Sequence, residues 1–284
     1  MPDFLTPSQY FRILGEKPRK RFGQHFLSQP ATAERIVRSA DLSASDVAVE
    51  IGPGLGALTR FILPLVGRAH LVELDRGLAQ YLETVLPVES NFVVHQQDVL
   101  TFDFAELGRS EGRRLVILGN LPYNISSPLL FRLLESFPHI DRAVLMVQKE
   151  VGERLAAAPG GKDYGVLSVL LGIYSRISPV FEVGPNQFYP PPGVGSLVVR
   201  IDFAASAPRG IPPFGFLREM VSAAFQRRRK TVQNSLKGFH GASGEQLARA
   251  LASVGIDPQR RPETLSPREF TAFAAAFLDE VSGP

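Results

Sequence analysis

Along the chain, apolar positions gather into short β-branched runs separated by stretches with helical spacing. The runs are DVAVEIG (46–52), AHLVELD (69–75), NFVVHQQD (91–98), RLVILGN (114–120) and RAVLMVQK (142–149). This alternation predicts parallel strands joined by crossover helices. Two further runs, VLSVLLGIY (166–174) and SLVVRIDF (196–203), have no convincing helix between them, and the connector VGPNQFYPPPGVG (183–195) has the prolines and glycines of an irregular loop. Only an antiparallel neighbour can be reached without a crossover, so the sheet is expected to end in an antiparallel pair. After a linker at SAPRGIPP (206–213) the pattern turns helical, with Ser243 and Ser266 as N-caps and Pro267 at a first helical position.

The expected fold class is therefore α/β, a Rossmann-like sheet plus a small all-helical C-terminal domain. The divisions are residues 1–30 as a basic arm, 31–206 as the sheet domain and 207–284 as the helical domain. A chain of 284 residues that is 44% hydrophobic can bury a core of that size. Cysteine is absent, which excludes disulfides, thiolate nucleophiles and Cys-ligated metals, and the five histidines are scattered. No run of about 18 uncharged apolar residues occurs and the N-terminus lacks a cleavable apolar leader, so a cytoplasmic protein without membrane or metal is expected. Charge is uneven: residues 1–30 carry five Lys/Arg against two acids, and residues 204–284 carry 11 against seven. Two basic ends around a slightly acidic middle suit a catalytic core held against a polyanion.

Three successive strand ends carry candidate ligand-binding residues. EIGPGLGALT (50–59) follows the first strand, and its Gly52, Gly54 and Gly56 permit a tight turn and close approach of a nucleotide-like ligand. The same turn satisfies a dinucleotide pattern, which leaves a nicotinamide cofactor open. About 20 residues on, Glu73-Leu74-Asp75 places a carboxylate where a ribose diol would lie, with Glu73 preferred and Asp75 an alternative. Asp98 ends the third strand, where it can accept from an adenine amine while Val99 packs on the ring; a helix N-cap is the plain alternative.

The fourth strand runs into Asn120-Leu121-Pro122-Tyr123. An adenine amine is a poor nucleophile because its lone pair is delocalised into the ring. The Asn120 side-chain oxygen and the Leu121 carbonyl can each accept one of its hydrogens, drawing the nitrogen toward tetrahedral geometry. Pro122 fixes the backbone and has no N–H to compete for those acceptors. Tyr123 offers a flat face for an extruded base, and Phe188 can supply the opposite wall.

With these residues in view, the chain closely resembles the ribosomal RNA adenine dimethyltransferase family, in the branch that modifies two adjacent adenines near the 3′ end of small-subunit rRNA. The resemblance spans RFGQHFL (21–27), the glycine turn, Glu73, Asp98, NLPYNISSPLL (120–130), QKEVGERL (148–155), DYGVLSV (163–169), FYPPPGVGS (188–196) and FQRRRKTVQNSL (225–236). It implies a class I methyltransferase sheet, S-adenosylmethionine as cofactor, and small-subunit rRNA or a partly assembled subunit as partner of a monomeric enzyme with a part in ribosome biogenesis. It also implies a lip over the cofactor's methionine end formed by Gln24, His25 and Leu27, and cofactor contacts from Gly52, Gly54, Glu73, Leu74, Asp98, Val99 and Asn120. The chain departs from the family at His25, where Asn is more usual, and at Gly193, which replaces a lysine.

The run Arg227-Arg228-Arg229-Lys230 is read as four like charges on one helical turn, which repel unless an anion such as RNA phosphate lies near. Arg19, Lys20 and Arg21 invite the same reading. Competing expectations are a ribosome assembly factor without catalysis, a nicotinamide-dependent dehydrogenase, and a methyltransferase of the macrolide-resistance type acting on large-subunit rRNA.

Overall fold

The structure, a computed structural model, describes residues 4–281 except 16, 20–22, 88–90, 209 and 228. Lys20, Arg21 and Arg228 thus lie outside the described residues. The strands are β1 (Phe26–Leu27), β2 (Val47–Ile51), β3 (Arg68–Glu73), β4 (Phe92–Gln96), β5 (Leu115–Asn120), β6 (Ile140–Gln148), β7 (Ser175–Val183), β8 (Phe188–Tyr189) and β9 (Ser196–Phe203). The helices of the sheet region are α1 (Pro7–Leu14), α2 (Pro30–Arg38), α3 (Thr59–Ile62), α4 (Arg76–Val85), α5 (Phe104–Ser110), α6 (Ser126–Glu135) and α7 (Lys149–Leu155).

Seven strands form one sheet in the order β4-β3-β2-β5-β6-β9-β7. From β4 to β6 every neighbouring pair is parallel, and β9 runs antiparallel to β6. The central strands β2 and β5 are apolar almost throughout because helices cover both faces, as a parallel sheet requires. Connections leave β2 toward β3 on one side, and β5 leads to β6 on the other, so the strand order reverses between β2 and β5. Ligands of open α/β sheets bind at such a switch point, beyond the carboxyl ends of the strands. The pairing of Ile51 with Gly119 brings Gly52 and Asn120 side by side there.

One strand expectation is corrected. Residues 166–174 form helix α8 (Val166–Tyr174), and the edge strand is the next segment, β7. A nine-residue apolar run has no polar face to reveal its period; here it is buried nearly all round as a helix, from Leu167 to Tyr174. Ser168 Oγ accepts from the Gly165 backbone N–H at 3.2 Å, tying down the helix start. The segment 175–183 disguises itself with Pro179, which a strand tolerates only at a sheet edge, the place β7 occupies.

The chain divides into two compact units, residues 1–152 with 177–205, and residues 153–176 with 206–284. The second contains α8, α9 (Phe214–Phe225), α10 (Val232–Leu236), α11 (Gly244–Ser253) and α12 (Pro267–Val281). Its core is aromatic and aliphatic, with Leu217, Met220, Leu247, Leu251, Phe270, Phe273 and Phe277 fully buried. Ser243 and Ser266 both cap helices, each exchanging hydrogen bonds with the residue three positions on. Glu269, the partner of Ser266, is held down at about pKa 2 by its ion pair with Arg260 and by the Ser266 bonds.

Candidate cofactor and acceptor site

A cavity of about 360 Å³ opens at the switch point. Its floor is the bend after β2, in which Gly52, Gly54 and Gly56 take φ of +61°, +57° and +79°. These are left-handed values that side chains resist, so the bend exists because the residues are glycine. The fit above Gly56 is closer still, since a Cβ there would meet the Phe4 ring at 2.2 Å.

Four carboxyl side chains line the cavity: Glu50, Glu73, Asp75 and Asp98. Glu73 is buried, and its two oxygens accept from the backbone N–H of Gly54 at 3.0 Å and of Asp75 at 2.9 Å. Burial nevertheless lifts its pKa to about 6, against those bonds. Asp75 has a different task. One of its oxygens caps α4 by accepting from Gly77 N–H at 3.0 Å, and the other accepts from Arg19 at 3.0 Å and Gln24 at 3.3 Å. Asp98 is both an N-cap and a lining residue: Oδ1 accepts from Leu100 N–H at 2.9 Å, and Oδ2 takes no hydrogen bond among the described residues. Leu74 is 48% exposed and Val99 buried, and both border the cavity.

Glu50 is a site residue that sequence reasoning missed. It is fully buried at the carboxyl end of β2, where desolvation pushes its pKa to about 8, opposed by a 2.6 Å hydrogen bond from the Thr59 hydroxyl and reinforced by the nearby Glu73 charge. Its signal in the sequence was an acid inside an otherwise apolar strand.

On the other side of the switch point, Asn120 Nδ2 donates to the His25 carbonyl at 2.9 Å. That bond fixes the amide orientation and leaves Oδ1 as an acceptor without a partner among the described residues. The Leu121 backbone N–H donates to Met146 at 3.1 Å, while its carbonyl is likewise without a partner among them. Tyr123 donates to or accepts from Ser196 Oγ at 3.0 Å, and burial raises its phenol pKa, so it remains protonated. The His25 ring lies nearly parallel to Tyr123 at 5.8 Å, and its Nδ1 bonds the Pro190 carbonyl at 2.8 Å. Side chain and backbone of His25 are thus both engaged.

Gln24, His25, Leu27 and Leu121 to Tyr123 all line the cavity. Phe188 does not. It pairs with Leu27 across β1 and β8 and is 5% exposed, within a cluster that includes Val183 and Val198. The basic residues also differ from expectation. Arg19 forms a 3.0 Å ion pair with Asp75, its side chain 40% exposed. Arg227, Arg229 and Lys230 are exposed, but in a turn after α9 and not on a helical turn. Thr231, after that turn, caps α10. Among the described residues, no group of three or more His, Asp or Glu side chains is placed to hold a metal ion.

The family model for ribosomal RNA adenine dimethylase matches residues 15–277. A protein of Nitrosococcus oceani named Ribosomal RNA small subunit methyltransferase A is 46% identical over 267 residues, 93% of this chain and 98% of that one. Its namesake in Syntrophotalea carbinolica is 45% identical over 261 residues, 92% and 97% of the two chains. Among solved structures, a dimethyladenosine transferase from Plasmodium falciparum superposes with a TM-score of 0.76 at 25% identity, covering 88% of this chain and 96% of that one. The sequence match runs through both compact units. The chain belongs to the ribosomal RNA adenine dimethylase family.

Proposed function

We propose that this chain uses S-adenosylmethionine to convert two adjacent adenines near the 3′ end of small-subunit rRNA to their N6,N6-dimethyl forms. The observation that carries the reading is the hydrogen bond of Asn120, whose amide N–H is committed to the His25 carbonyl so that its oxygen is left to accept, on a residue that lines the cavity beside Leu121. The residues of the cavity fit the cofactor: Gly52 leaves open space over the bend, Glu73 meets a diol, and the unpaired Asp98 oxygen meets an adenine amine. When bound, the cofactor supplies an electrophilic methyl group on a sulfonium.

The protein's own part is binding and orientation. Asn120 Oδ1 and the Leu121 carbonyl accept the two hydrogens of the adenine amine, which localises its lone pair toward the methyl donor. Once one methyl is in place, a single N–H remains and one acceptor suffices. Tyr123 stacks on the base, and a phenol kept protonated takes no proton from it. Phe188 acts from the core side, setting the Tyr189–Pro190 loop that holds His25 against Tyr123. Arg227, Arg229 and Lys230 supply phosphate contacts, and the partner is small-subunit rRNA in a bare or partly assembled particle in the cytoplasm. The match to proteins named for the small subunit over more than nine-tenths of the chain favours this target over the large subunit.

Incubation with unmethylated small ribosomal subunits and labelled cofactor, followed by nucleotide mapping, tests the assignment. Label on the two adjacent adenines is expected; label confined to large-subunit rRNA, or none, would overturn it.

A further inference from the structure

The segment from Phe4 to Leu14 ends before residue 15, where the family match begins, yet Phe4, Leu5, Thr6 and Pro7 line the cavity. It is built to hold a shape. Thr6 and Gln9 exchange cap hydrogen bonds around Pro7, and Gly15 closes α1 in a left-handed conformation. Phe4 lies on Gly56, with the Arg60 guanidinium 4.5 Å from its ring centre. The Leu5 backbone N–H donates to Tyr81 on α4 at 2.8 Å, and Tyr10 meets the Tyr81 ring edge-on at 5.1 Å.

The other end reaches the acceptor side. Phe11 packs on Phe26 at 5.4 Å and lies nearly parallel to Tyr189 at 6.4 Å. Tyr189 precedes Pro190, whose carbonyl anchors His25; the His25 carbonyl in turn holds the Asn120 amide. The segment therefore touches the glycine bend through Phe4, ahead of α1, and the loop behind the acceptor residues through Phe11 on α1.

We propose that Phe4–Leu14 is a clasp on the cofactor cavity, with Phe4 closing the bend and Phe11 holding the Tyr189–Pro190 loop, so that bound cofactor leaves only when the clasp opens. This rests on the reading that S-adenosylmethionine occupies the cavity, and it makes Phe4 and Phe11 positioning residues for the reaction.

The chain has no cysteine, so a single introduced thiol reports on one place alone. In a Leu5→Cys variant, saturating S-adenosylhomocysteine should slow modification by a thiol reagent at least about tenfold, because opening then requires cofactor release. In Ile13→Cys, on the exposed face of α1, the rate should be the same with and without the ligand. Phe11→Leu keeps apolar bulk but loses the ring contact, so S-adenosylhomocysteine should dissociate about three- to tenfold faster in stopped flow. Equal modification of Leu5→Cys in free and ligand-saturated protein, or a wild-type dissociation rate in Phe11→Leu, would overturn the clasp. Failure of the wild-type protein to bind S-adenosylhomocysteine would instead overturn the assignment of the cavity, and needs neither variant to be seen.

Discussion

In the proposed reaction, Asn120 and the Leu121 carbonyl share the acceptor role. Asn120→Ala removes one of two hydrogen acceptors and leaves the glycine bend and the acids untouched, so methyl transfer should fall about 10²- to 10³-fold. Cofactor binding, followed by calorimetry, should change little; near-normal turnover would remove Asn120 from its role. Glu50 makes a prediction of a different kind. Its pKa in the folded protein, about 8, exceeds the ordinary 4.5, so between those values the folded state holds the extra proton. Stability from this group is therefore complete at low pH and is lost as pH rises toward and past 8. Glu73, raised to about 6, acts in the same direction over a narrower range. Glu50→Gln imitates the protonated form and can still accept from Thr59. Its melting temperature, without cofactor, should decline less between pH 5 and 8.5 and exceed that of the wild type at the upper end. Parallel pH curves for the two proteins would contradict the assignment.

Elements are decided by groups whose duties overlap. The start of α4 depends on Asp75, which also receives Arg19 and Gln24 from the basic arm. Asp75→Ala should cost about 1 kcal/mol for the cap alone, or roughly 2–4 °C in melting temperature for a chain of this size. Asp75→Asn keeps an acceptor for Gly77 and should recover most of that loss, whereas equal destabilisation by both variants would mean that the Arg19 ion pair outweighs the cap. Comparison with a Glu73 variant separates the two acids: cofactor affinity should survive Asp75→Asn and collapse in Glu73→Ala. At this scale the sequence was readable where a strand alternates with helical spacing, as from β2 to β6. It misled where 166–174 is apolar on every side, and where Pro179 interrupts an edge strand.

For the whole molecule, the proposed RNA contact rests on the basic residues of the C-terminal unit. Arg19 pairs with Asp75, and Arg227, Arg229 and Lys230 in the turn after α9 are exposed. Arg227→Glu combined with Arg229→Glu should weaken binding to small ribosomal subunits and reduce the slope of log affinity against log salt by about 1–2. An unchanged slope would place the RNA on another surface. No helix among the described residues is long and apolar enough to cross a membrane.

The sequence alone determined the alternating sheet, the glycine bend with acids at successive strand ends, and the Asn-Leu-Pro-Tyr loop. These follow from local causes: periodicity, backbone freedom at glycine and proline, and residue chemistry at a strand's end. What only the tertiary structure decided are relations between residues far apart in the chain. Phe4 packs on a bend some 50 positions away, Arg19 pairs its charge with Asp75, Phe188 is buried against Leu27, and the His25 carbonyl accepts from the Asn120 amide. None has a local signal, because each depends on the distance that folding sets between groups and not on the preference of either group by itself.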